Sequence, residues 1–140
     1  METVVISPRK RLQDLTGEWK GAGTMDVAGD SFPVTARWLC ESSAAGFGLR
    51  GDMQLAGVPG MEYLTDIEQF GYDDADQLVH AGTVCNSSEA HALKGNWSGN
   101  NLRVEDSRVS YELSLVSSNE LQFHVVNHGG GPVFDLTLQR

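Results

Sequence analysis

At 140 residues, with ten Lys and Arg against nineteen Asp and Glu and a formal net charge of -9, the chain has the size of one domain with one core. The charge argues against a nucleic-acid partner, since phosphate binding needs clustered cations, and against an acidic membrane surface for the same reason. Two cysteines, Cys40 and Cys85, are too few for a disulfide scaffold and lack the spacing of a zinc site.

No stretch approaches the roughly 20 apolar residues of a membrane helix, and the start lacks the basic and apolar run of a leader. A soluble, cytoplasmic protein is expected, with buried free thiols and with no use for the apparent sequons at Asn86 and Asn96. The chain divides into an N-terminal segment with a short helix, 1–16, and one domain of strands, 17–140. In the helix Pro8 stands in the early turn, Leu12 and Leu15 share a face, and Gly17 is the stop. Arg9, Lys10 and Arg11 flank it as a solvated face.

From Trp19 onward the pattern alternates. Trp19, Gly21, Gly23, Met25 and Val27 oppose Lys20, Ala22, Thr24 and Asp26, the signature of a half-buried strand, and its glycines permit the close packing and curvature of a barrel wall. After a turn at Gly29-Asp30, the apolar face of 32–40 is Phe32, Val34, Ala36, Trp38 and Cys40. Phe47, Leu49, Gly51, Met53 and Leu55 follow, opposed by Gly48, Arg50, Asp52 and Gln54 and punctuated at 57–60.

The stretch 61–72 is two-faced. Tyr63, Thr65 and Ile67 oppose Glu62, Leu64, Asp66, Glu68 and Phe70, and Glu62, Asp66 and Glu68 are expected on a solvated exterior. Asp73, Asp74 and Asp76 form a charged turn without the spacing of an EF-hand calcium loop. In 78–86 the register is open between Leu78, His80, Gly82, Val84 and Val79, Ala81, Thr83, Cys85. His91, Leu93, Gly95 and Trp97 share a face in 89–97, and a short strand, 102–105, follows. The last three strands turn Tyr111, Leu113 and Leu115, then Leu121, Phe123 and Val125, then Phe134, Leu136 and Leu138 inward. The glycines 129–131 form a rim loop suited to gate a cavity; no Lys and Ser or Thr follow them, so they are no phosphate loop. Roughly eight to ten short strands at steady spacing predict an all-β domain. A single antiparallel up-and-down barrel is preferred over a sandwich, because closure removes exposed edges.

The opening Leu15-Thr16-Gly17-Glu18-Trp19-Lys20-Gly21-Ala22-Gly23, the turn Gly71-Tyr72-Asp73 and the closing Phe134-Asp135-Leu136-Thr137-Leu138-Gln139-Arg140 together resemble a group of uncharacterised lipocalin-like bacterial domains of the calycin superfamily. The resemblance spans nearly the whole chain. It implies a lipocalin-like β-barrel in which Trp19 packs across the closed end against Arg140, and it carries no settled activity. The missing leader and disulfides depart from secreted lipocalins. Nitrobindin-like barrels have a similar Gly-x-Trp-x-Gly-x-Gly start and bind haem through a histidine at the start of the closing strand. Val133 or Phe134 stands at that position here, His124 is out of phase with Phe123, and His128 sits in a turn. No haem and no other cofactor is therefore expected.

The expected function is binding of a small hydrophobic ligand in an open barrel interior. Candidate contacts are Trp38, Phe47, Met53, Tyr63, Trp97 and Phe123, with His80 or His91 as a polar anchor. The same side chains would serve a filled core, as small barrels often have. Arg37 and Arg50 are the mid-strand cations suited to an acid headgroup, yet their alternation with apolar neighbours points them outward. No catalytic or metal-binding pattern occurs, so no catalytic and no metal residue is assigned. Two alternatives stand beside binding: a small barrel enzyme using a His and carboxylate pair for proton transfer, and a packed structural module that forms a homodimer.

Overall fold

The computed structural model describes residues 12–43, 48–60, 64–72, 77–83, 90–128 and 133–140, with the side chains of 64–66, 82–83 and 90–91 outside that set. A 3-10 turn, Gln13–Leu15, precedes ten strands: β1 (Gly17–Val27), β2 (Asp30–Ser43), β3 (Gly48–Ala56), β4 (Leu64–Tyr72), β5 (Leu78–Thr83), β6 (Ala90–Ser98), β7 (Asn101–Glu105), β8 (Val109–Ser117), β9 (Glu120–Asn127) and β10 (Val133–Gln139). Each strand pairs antiparallel with the next in sequence, and β1 pairs with β10 to close the barrel. This is the antiparallel up-and-down barrel that the alternation predicts.

The alternation works because successive side chains of a strand point to opposite faces. In β1, Trp19 and Met25 are buried while Lys20, Ala22 and Thr24 are exposed; in β2, Val34, Ala36, Trp38 and Cys40 are buried while Thr35 and Arg37 are exposed. In β5 the open register resolves with Leu78 and His80 buried and Ala81 exposed. The outward cations meet outward carboxylates: Arg37 Nε lies 3.0 Å from Glu18, Arg50 Nη2 3.5 Å from Asp52 and Arg103 Nη2 3.0 Å from Glu105.

The expected helix takes the form of the single 3-10 turn, with Leu12 and Leu15 fully buried; residues 1–11, and with them Arg9, Lys10 and Arg11, lie outside the described residues. Thr16 ends the turn by donating its N–H and Oγ1 to the Gln13 carbonyl at 3.1 and 2.8 Å. Trp19 Nε1 donates to the Leu15 carbonyl at 2.9 Å. Arg140 lies 4.4 Å over the Trp19 ring, as the resemblance implies, and its Nη1 donates to the carbonyls of Asp14 and Thr16, both at 2.8 Å. These bonds hold the turn across one end of the barrel.

One expectation is overturned. Glu68 is 1% exposed, on the same inward side as Phe70, whereas Ile67 is 46% exposed. The solvated exterior expected for Glu68 is therefore wrong. The pairing explains it: Phe70 stands opposite Leu49 on β3 and His80 on β5, and Glu68 opposite Gly51 and Gly82. A slip by one residue would turn Phe70 out with the whole inward set of β4. Burial of a phenylalanine side chain is worth about 1.5–3 kcal/mol, so the aromatic sets the parity and the carboxylate follows it inside. Of its companions, the side chain of Asp66 and all of Glu62 lie outside the described residues.

Candidate functional site: a polar cluster in an aromatic interior

The middle of the barrel is aromatic. The Trp38 and Phe123 rings meet edge-on at 5.0 Å, Phe123 lies 5.6 Å from Phe134 and Tyr111 6.0 Å from Phe123. Such separations are those of rings in contact, so these side chains form one connected aromatic cluster in the interior. Polar groups are embedded among them. The His80 ring lies between Phe70 at 4.7 Å and Tyr111 at 4.6 Å, tilted 56° and 40° to them, and Glu68 and His80 are both almost wholly buried.

Register explains how the polar groups come together. Cys40, Gly51, Glu68, Gly82 and His91 are successive cross-strand partners from β2 to β6, so Glu68 has a glycine on each side. At Gly51 the vacancy is used: a Cβ there would collide with the Trp38 indole nitrogen. The indole thus lies over Gly51, beside the strand that carries Glu68. A cleft of about 370 Å³ runs along β4–β6, lined by Phe70, His80 and Leu93 together with the exposed Gln69, Ala81, Ala92 and Lys94, so it opens on the outer face of the wall.

Of the candidates from sequence, Trp38, Met53, His80 and Phe123 are buried in the interior, with Trp38 against Phe123 and His80 against Tyr111. Trp97 is half-buried and donates Nε1 to Tyr72 Oη at 3.0 Å. Phe47 and Tyr63 lie outside the described residues, and His91 is placed on β6 opposite Gly82 with its side chain outside them. Sequence reasoning missed Glu68 and the stacking role of Tyr111. The available signal for Glu68 was its shared face with Phe70. Arg37 and Arg50 are exposed. His124 faces outward, 3.7 Å from Asp135 on the neighbouring strand, and His128 is exposed in its turn.

Cys40 is buried in the same row as Glu68. Burial pushes its thiol pKa well up, and the negative charges of Glu68 and then Asp52 add to the effect, against a smaller opposing pull from Arg140. A neutral thiol is a poor nucleophile, so Cys40 is expected to resist iodoacetamide in the folded protein and to react only on unfolding, as read by peptide mapping at that residue. A raised folded-state value means the unfolded chain loses its proton first. The contribution to stability is therefore intact below the ordinary thiol value near 9.0 and falls as pH rises above it. Labelling of Cys40 in the native state at neutral pH would contradict this environment.

Chemically, the interior offers aromatic faces for stacking, an imidazole, a phenol and a carboxyl for hydrogen bonds. Among the described residues no group of three or more His, Cys, Asp or Glu is placed to hold a metal ion.

No protein-family model matches the chain, and no curated protein matches it. Solved structures do. A redesigned β barrel, mFAP0, bound to DFHBI is similar with a TM-score of 0.57 and 16% identity over 91% of this chain and 100% of that one. The S-type phycobiliprotein lyase CPES from Guillardia theta gives 0.56 and 11% over 95% and 90%. A second redesigned barrel, b11L5F_LGL, gives 0.55 and 14% over 99% and 98%. Likeness at this level is one of fold, and the closed antiparallel barrel it supports is consistent with the lipocalin-like resemblance of the sequence.

Proposed function

We propose that this protein binds a small, planar, largely apolar molecule in the barrel, against Phe70, His80 and Tyr111. The observation that carries this reading is the burial of Glu68 and His80 inside an aromatic core. Taking a carboxyl and an imidazole out of water costs several kcal/mol even when their partners are good. A barrel filled for stability alone would place apolar side chains at these positions. The beta-sheet wall beside them carries the cleft of about 370 Å³, within the usual range of about 300–1,000 Å³ for ligand pockets. Stacking on the rings would supply affinity, and the polar groups would orient the molecule.

Two of the similar folds support the capacity of such a barrel. One redesigned barrel was solved with DFHBI bound, and another similar structure is a phycobiliprotein lyase. The test is native mass spectrometry of the freshly purified protein, followed by mild denaturation to release and weigh what it holds. A stoichiometric small molecule is the expected result. A bare chain mass, unchanged after incubation with mixed aromatic compounds and lipids, would overturn the reading in favour of a packed structural module.

A further inference from the structure

We infer that the molecule taken up is a planar heterocycle with a carbonyl acceptor beside an N–H donor, its acceptor facing Trp38 Nε1 and its donor facing Glu68, and that the site rejects carboxylic acids. This deepens the binding reading above and rests on it. The chain has three tryptophans. Trp19 donates its indole N–H to the Leu15 carbonyl at 2.9 Å, and Trp97 donates to Tyr72 Oη at 3.0 Å. Trp38 is 0% exposed, and among the described residues its Nε1 has no hydrogen-bond acceptor. Buried donors left in that state are rare and destabilising. A ligand that brings an acceptor to Trp38 removes that cost on binding, so the indole favours molecules with a carbonyl over plain hydrocarbons.

Position supplies the donor half. The Trp38 nitrogen occupies the space that a side chain at 51 would need, and Gly51 is the direct cross-strand partner of Glu68. Paired residues of neighbouring strands lie about 4.5–5.5 Å apart at Cα, so the indole N–H and the carboxyl sit at one level of the wall. A carboxylate has room for several donors beyond those it already meets, and glycine at 82 places no side chain on its other flank. One edge of a flat molecule therefore spans both groups.

Charge supplies the exclusion. An acid headgroup is held in such barrels by an inward cation. Lys20, Arg37, Arg50, Lys94, Arg103, Arg108 and Arg140 are all exposed; Lys94 borders the β4–β6 cleft from the outside, and among the described residues no lysine or arginine faces the interior, where Trp38 and Glu68 stand. A ligand carboxylate would instead meet Glu68 inside a protein of net charge -9.

The experiment titrates the full chain with three probes by calorimetry: 2-quinolone, whose ring N–H adjoins its carbonyl; 1-methyl-2-quinolone, which lacks the N–H; and oleate. Binding of 2-quinolone is expected, weakened about tenfold by N-methylation and about tenfold by Trp38→Phe, the effect of one hydrogen bond, with no binding of oleate. The N-methyl contrast in the wild-type chain keeps the test decisive if Trp38→Phe fails to fold. Oleate or 1-methyl-2-quinolone binding as tightly as 2-quinolone would overturn the inference and leave the binding reading standing. No binding of any probe would overturn the inference, and a bare mass in the native spectrum would then overturn the binding reading as well.

Discussion

Gly21→Ala combined with Gly23→Ala is expected to cost about 2–6 kcal/mol, a large part of the roughly 5–15 kcal/mol that holds a domain of this kind together. A Cβ at Gly21 would collide with the backbone carbonyl oxygen of Thr137, and one at Gly23 with that of Asp135. Both obstacles belong to β10, the strand that closes the barrel on β1. A flexible side chain would swing away; a carbonyl in a ladder cannot move without parting the strands. The loss should appear as a lower denaturation midpoint. Gly71→Ala is the matched control, because a Cβ there meets nothing within 4 Å. That variant should be neutral or slightly stabilising, since glycine weakens a strand interior. A double variant as stable as the wild type would show that β1 and β10 do not approach this closely.

Replacing the buried polar pair should act in the opposite direction. Glu68→Met together with His80→Leu is expected to stabilise the protein by about 1–4 kcal/mol, because apolar groups of similar volume avoid the desolvation cost of the pair. The same change should abolish ligand binding. Stability gained where function is lost is the usual sign of groups kept for a site rather than for the fold. Chemical denaturation read by tryptophan fluorescence, alongside a binding titration, measures both. A destabilised double variant that still binds would assign Glu68 and His80 to the scaffold instead.

The candidate site was only partly legible beforehand. Trp38, Met53 and Phe123 could be named because they alternate with polar neighbours, and His80 from one of two open registers; each proves buried. Glu68 could not be named, because a carboxylate counts as outward in any hydropathy pattern. In β4 each face mixes apolar and polar residues, so local periodicity carries no parity. Its neighbours decide, through Phe70 against Leu49 and His80. Tyr111 was read as an inward aromatic, but its stacking on His80 joins β8 to β5 across the interior, and no local pattern records a contact between strands so far apart in the chain.

By itself, then, the amino-acid sequence determined the strand order, the inward set of most strands and the closed barrel. These follow from alternation and turn chemistry, which are properties of neighbouring residues. Tertiary structure alone decided that Glu68 lies inside, that the Trp38 indole settles over Gly51, and that aromatic rings from distant strands meet in the interior. Those outcomes depend on which side chains from distant strands compete for one shared volume, and that competition is resolved only when the barrel closes.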